Sequence, residues 1–269
     1  MRKIAEDVWH IDTLGYVNAY IWRWEKGLTI IDTGLPWQGG KILKAVEELG
    51  FKPEDVREII VTHADFDHYG GLRTLRAATG APVYVHAIEA MFFKGRWRRW
   101  PNLRHPLGLL YLPIHTFLML TFARIPRMNP DLLVVDGEEL ENGLTVVHTP
   151  GHTPGHIALF GKERGVLFVG DVMVNRGGSL ALPPAMFTPQ PDILKQSIRK
   201  LARLRGVEIA AFGHGPVIRE KAGDVIRAFA KRVAPPPKRR PKKAPTRAGV
   251  PRQPKAAPAP KQSSGAEKK

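Results

Sequence analysis

A chain of 269 residues, 43% of them hydrophobic, is long enough to bury a sizeable core, and its lack of cysteine excludes disulfides and thiolate metal sites. The formal net charge of +16 is unevenly placed: from residue 234 onward there are eleven Lys/Arg and one acid, a net of +10, while the remainder, with 30 basic and 24 acidic residues, carries +6. The opening, "MRKIAEDVWHIDTLG", reaches acidic residues before any apolar run of signal-peptide length, so a cytoplasmic location is expected.

Residues 4–11, 16–24 and 27–31 read as short strands, because "YVNAYIWRW" is β-branched and aromatic and "LTIID" is a compact apolar run. "DTGLPWQGG" is turn chemistry, and "KILKAVEELG" has helical periodicity closed by glycine. A buried strand "REIIVTH", a helix "GGLRTLRAATG" and a strand "PVYVH" follow. Residues 91–130 fit no strand–helix alternation: nineteen residues between Arg104 and Arg124 contain no Lys, Arg, Asp or Glu, yet Pro106, Gly108 and Pro113 argue against a membrane span. A helical lid over a pocket is expected there, with a membrane-surface contact as the other reading, since "KGRWRRW" beside an apolar stretch suits a headgroup-level anchor.

Further strands are expected in "DLLVVDG", "GLTVVHTPG", "HIALF" and "GVLFVGD". The amphipathic helix "PDILKQSIRKLARLRG", the strand "VEIAAFGHG" and the helix "VIREKAGDVIRAFAKRV" complete the body. Interleaving of this kind predicts an α/β domain over 1–233, with two sheets and helices outside them. The tail 234–269 is rich in Pro, Lys and Ala with few side chains able to pack, so it is expected to be disordered. Weak contact with nucleic acid or an anionic membrane is its candidate role.

Each polar cluster sits just after a β run: His63, Asp65, Asp67 and His68 after "EIIVT", His152 after "LTVVHTP", Asp171 after "VLFVG", and His214 after "IAAFG". Loops at strand ends converge while the strands hold them rigid, so one pocket fed by four loops is expected. A dinuclear hydrolytic centre needs nitrogen and oxygen ligands from several rigid segments and a carboxylate to link the ions. His63 and Asp65, two apart in an extended loop, can reach one ion, and Asp67 and His68 a second. His152 and His214 would each complete one ion, with Asp171 between them.

"HADFDH" at 63–68, "TPGHTPGH" at 149–156, "FVGD" at 168–171 and "GHG" at 213–215, with "IIDTG" at 30–34 upstream, resemble the ordered motifs of the metallo-β-lactamase fold superfamily. The resemblance implies a four-layer αβ/βα sandwich with two metals at one edge, most commonly zinc. It implies His63 and His152 on the first metal, Asp67, His68 and His214 on the second, and Asp171 bridging. It also implies attack by a metal-bridging hydroxide on a small-molecule ester, lactone, thioester or phosphoester, with Asp67 as a catalytic residue that binds metal and orients the nucleophile. The departure is Asp65, where the commoner pattern has histidine. A carboxylate there moves preference from zinc toward iron or manganese. The lactonase branch carries a tyrosine soon after the bridging aspartate, where this chain reads "VMVNRGG", and the glyoxalase II branch carries an added C-terminal domain; both features count against those substrates.

Two roles stay open for Asp32: a turn-capping aspartate, or an acceptor for a metal-bound imidazole N–H. Asn175 and Arg176, just past Asp171, are candidate substrate contacts. His148 and His156 flank His152 at four-residue spacing, but Pro150 and Pro154 rule out a regular helix, so these two are expected to be hydrogen-bonded packing residues. Two competing functions are a diiron redox protein with a flavodiiron-like site, and a non-catalytic module that binds nucleic acid or membrane through the tail.

Overall fold

The computed structural model describes residues 1–94, 100–121 and 129–233; the tail expected at 234–269 and parts of the segment 91–130 lie outside the described residues. Every element belongs to the compact unit Met1–Pro235. A seven-stranded sheet runs in the order of the sequence: β1 (Arg2–Ala5), β2 (Val8–His10), β3 (Tyr20–Trp24), β4 (Gly27–Ile31), β5 (Val56–Ile60), β6 (Val83–His86) and β7 (Leu132–Val134). Pairing is antiparallel from β1 to β4 and parallel from β4 to β7. The change follows from the connections: hairpin turns join the first four strands, whereas the helices α1 (Gly39–Glu48) and α3 (Leu72–Thr79) provide the crossovers that parallel strands need.

A second sheet holds β8 (Thr145–His148), β9 (Ile157–Gly161), β10 (Val166–Gly170) and β13 (Ile209–Phe212) in the order β13-β10-β9-β8. The helix α6 (Pro191–Leu201) is the crossover to β13, and α7 (Ala222–Val233) packs beside it. The four layers can be read from the alternation of buried side chains, which point to opposite faces with period two. In β5, Ile59 joins the core under α1 and α3, with Ile42, Leu72 and Leu75, while Ile60 faces the other way. In β10, Leu167 and Val169 pack under α6 and α7, while Val166 and Phe168 meet Ile60, Ile31 and Trp22 between the sheets. Both sheets are covered on both faces, which is why their strands read as apolar runs. The molecule is the αβ/βα sandwich expected from its sequence.

Local differences have local causes. The strand expected over 4–11 breaks at Asp7, whose φ of 53° is left-handed, and so becomes β1 and β2. The strand expected from residue 16 begins only at Tyr20, because a 3-10 turn at Asp12–Leu14 leads into Gly15, with φ 85°. The helix expected over 70–80 is preceded by one turn, α2 (Phe66–Tyr69). A hairpin of β11 (Val174–Arg176) and β12 (Ser179–Ala181), closed by Gly177 and Gly178, was not expected. Both glycines have positive φ, as a two-residue hairpin turn requires. Between β6 and β7 the insertion is helical where described, with α4 (Ala90–Phe93) and α5 (Pro106–Thr121).

Candidate metal centre

The loop after β5 carries His63 to His68, and α2 turns the chain so that its four donors divide between two directions. Backbone hydrogen bonds from His68 and Tyr69 to the Asp65 carbonyl, at 2.8 and 3.1 Å, set that bend. The loop after β8 brings His152, the end of β10 brings Asp171, and the turn after β13 brings His214. An Ile157 N–H to Thr62 carbonyl bond of 3.0 Å ties the edges of the two sheets together at this point. The Asn18 amide donates to the carbonyls of Phe212 and Gly215, and the Tyr20 hydroxyl to Phe212, so the N-terminal loop holds the His214 turn.

All seven expected donors meet. His152 Nε2 lies 3.0 Å and His63 Nε2 3.7 Å from Asp65 Oδ2. His214 Nε2 lies 3.4 Å from Asp67 Oδ2 and 3.5 Å from His68 Nε2. Asp171 reaches both sets: Oδ1 is 3.6 Å from His68 Nε2, and Oδ2 is 3.3 Å from His214 and 3.7 Å from His152. Three groups here could each hold a cation: His63, Asp65 and His152; Asp67, His68 and His214; and His63, His68 and Asp171.

Hydrogen bonds determine which lone pairs face the centre. Asp32 is an acceptor only, and it takes the Thr62 N–H and hydroxyl on Oδ1, at 2.8 and 3.0 Å, and His68 Nδ1 on Oδ2, at 2.8 Å. With its single hydrogen committed to Asp32, the Thr62 hydroxyl must accept from His63 Nδ1, 3.0 Å away. His214 Nδ1 donates to the Tyr16 carbonyl at 3.0 Å. With Nδ1 committed as a donor, His63, His68 and His214 each aim Nε2 inward, and each ring can offer that nitrogen's lone pair once it is neutral. His63 Nε2 and Asp171 Oδ1 are buried acceptors with no hydrogen-bond partner, the situation a bound cation relieves. His156 differs: its Nε2 accepts the Asp171 N–H at 2.8 Å, which leaves Nδ1 to donate to Thr149. Its lone pair is spent on holding Asp171. His148 Nε2 donates to the Pro154 carbonyl at 2.9 Å.

Packing at the centre leaves no slack. A Cβ added at Gly213 would collide with Asp171 Oδ1 and come within 2.7 Å of His68 Cε1. The charges are coupled as the geometry requires. Burial and the neighbouring His68 push His63 well below the usual imidazole range. Burial raises the Asp67 carboxyl, with Asp171 and Asp65 adding to the effect. Against burial, Asp171 and Asp32 hold His68 up to about 10, and His214 and His68 keep Asp171 well below the carboxylate range.

Of the two roles open for Asp32, the structure shows the imidazole acceptor; its φ of 59° places the carboxylate toward His68. Asn175 borders the same cleft, but its amide donates to the Pro216 carbonyl and its Oδ1 accepts the Gly178 N–H, so the side chain is committed to the turn. Arg176 lies exposed at the rim. One residue escaped the sequence reading. Glu89, fully buried, accepts the Ala64 N–H at 2.7 Å, the Gly155 N–H at 2.9 Å and the Thr153 hydroxyl at 3.1 Å, and so clamps two donor loops together. No motif surrounds it, and only the 66-residue separation closed by the fold reveals it. The cluster floors a cleft of about 410 Å³ walled by Tyr16, Phe66, Trp100, Tyr111, His115 and Phe187.

Asp32→Ala is expected to weaken metal binding about 10- to 100-fold, because it frees the rings of His68 and, through Thr62, His63. Competition against a chelator of known affinity measures this, and unchanged affinity would show that the two rings are held without Asp32.

An αβ/βα sandwich with a His/Asp cluster where its two sheets end defines a class of metal-dependent proteins. The family model of the metallo-beta-lactamase superfamily matches residues 12–214, and the chain belongs to that superfamily. It is 31% identical over 207 residues to a probable metallo-hydrolase of Bacillus subtilis, covering 69% of this chain and 74% of that one. It is 29% identical over 203 residues to a hydroxyacylglutathione hydrolase of Haemophilus influenzae, covering 73% and 84%. A crystal structure of a metallo-beta-lactamase family protein from Thermus thermophilus superposes with a TM-score of 0.63 and 26% identity, over 86% of this chain and 80% of that one.

Proposed function

We propose that the protein is a dinuclear metallohydrolase acting on an ester, lactone, thioester or phosphoester with an apolar portion, with an acyl thioester favoured by the hydroxyacylglutathione hydrolase relative. The observation that carries the reading is the pair of His/Asp triads sharing Asp171. His63, Asp65 and His152 would hold the first ion and Asp67, His68 and His214 the second, with Asp171 within reach of both groups. Zinc suits the nitrogen-rich donor set, and Asp65 leaves the first position open to iron or manganese. When bound, the two divalent ions supply a water of lowered pKa and a Lewis acid for the acyl or phosphoryl oxygen.

The chain's own groups do the rest. Asp67 would bind the second ion and orient the attacking water, while Asp32 and Thr62 keep the two imidazoles with Nδ1 as the donor. Trp100, Tyr111 and Phe187 form the apolar wall on the lid side, excluding water and receiving the apolar part of the substrate. Arg176 at the rim suits an anionic group. The tail 234–269 and the lid 91–130 are accessory to one catalytic domain, 1–233. Among the described residues no helix is long and apolar enough to cross a membrane.

Metal analysis of protein purified without added metal, paired with a panel of chromogenic esters, lactones, thioesters and phosphodiesters, tests the reading. Two ions per chain and chelator-sensitive turnover are expected. Asp65→Ala should lower the content toward one ion, and retention of two would remove Asp65 from the ligand set. Turnover that survives complete metal removal would end the proposal.

A further inference from the structure

The helix α5 is apolar on every side: "PLGLLYLPIHTFLMLT" contains no charged residue. Such a helix is normally buried or in contact with lipid. Here one side is turned inward, with Gly108 and His115 buried and Tyr111 and His115 lining the cleft. The other side is exposed. Leu107 is 54% exposed, Leu110 75%, Ile114 56% and Phe117 61%, and their spacing of three, four and three residues makes one continuous stripe. Leu103, just before the helix, is 45% exposed. An uninterrupted apolar stripe of this size on a folded surface marks a contact.

The surrounding charge says with what. Between Glu89 and Asp131 the sequence has Lys94, Arg96, Arg98, Arg99, Arg104, Arg124 and Arg127 and no acid, and Lys94 and Arg104 stand exposed on the described surface. An isologous contact between two copies would offer no acid from this segment to pair with the exposed Lys94 and Arg104. An anionic lipid surface would attract them while accepting the leucines below its headgroups. At 16 residues the helix is about 24 Å long, too short to cross the hydrocarbon layer but suited to lying along it.

We infer that the outer stripe of α5, Leu107, Leu110, Ile114 and Phe117, docks the protein on an anionic phospholipid bilayer. The inner side of the same helix then faces the catalytic cleft, so a substrate with an acyl chain is drawn from the surface to which the enzyme is bound. The docking itself does not depend on the proposed chemistry, and its test reads binding rather than turnover.

Full-length protein is sedimented with phosphatidylcholine vesicles, with and without phosphatidylglycerol, beside a variant carrying Leu107→Gln, Leu110→Gln, Ile114→Gln and Phe117→Gln. The basic tail is present in both, so any difference belongs to the helix. Wild type is expected to bind the phosphatidylglycerol vesicles and to lose binding as salt rises, and the fourfold variant to bind at least about tenfold more weakly. Leu110→Gln alone, at the most exposed position, should weaken binding measurably if the fourfold variant does not fold. Wild type that stays in solution overturns the inference. So does equal binding by wild type and variants, which would assign the contact to the tail, and so does self-association abolished by the variants with no affinity for vesicles.

Discussion

Asp171→Ala is expected to lower kcat/KM by about 10³-fold or more, the larger of the two effects foreseen for single substitutions. The reason is position. Its two oxygens reach both halves of the centre, 3.6 Å from His68, 3.3 Å from His214 and 3.7 Å from His152. Without it each triad keeps three donors but nothing links them, and one of the four carboxylates facing the imidazoles is gone. The fold should survive, because the backbone of residue 171 stays tied to His156 through its own N–H. Asp171→Asn keeps the shape and removes the charge, so it separates the two contributions. Metal content, kcat/KM on the best substrate of the panel and near-ultraviolet circular dichroism are read together. Wild-type turnover in Asp171→Ala with an intact spectrum would show that the two triads do not act as one site.

The second large effect concerns stability. Glu89→Ala should cost about 3–5 kcal/mol, because it strips the acceptor from two buried N–H groups and a hydroxyl at once. Glu89→Gln should be milder, about 1–3 kcal/mol: one amide oxygen can still accept, but its NH₂ meets a donor that also needs an acceptor. Urea unfolding of the full chain measures both. The loops clamped by Glu89 carry His63, Asp65 and His152, so weaker metal binding should accompany the lost stability. Glu89→Ala that unfolds at the wild-type urea concentration would show that the two loops are held by other contacts.

Interleaved apolar runs and amphipathic helices were enough to indicate two sheets with helices outside them, since the period of burial is a property of short segments. The seven donors could be recognised for the same reason: each follows a strand directly, and a strand end fixes where the next few side chains can point. What escaped were features without a local pattern. Asp7 in a left-handed conformation split a strand that its composition favoured, and the Gly177–Gly178 hairpin was hidden because three-residue strands carry little periodicity.

The seven side chains that meet and the layer order were therefore legible in the chain itself. The state of those donors was not. His63, His68 and His156 are chemically identical in the sequence, yet the first two aim Nε2 at the centre and the third spends its Nε2 lone pair on the Asp171 N–H. Asp32 meets His68 across 36 residues and Glu89 meets Gly155 across 66. Tautomer and clamp depend on which groups packing forces into hydrogen-bond distance: Asp32 reaches His68 once β4 and β5 have paired, and Glu89 reaches Gly155 only once the two sheets have closed on one another.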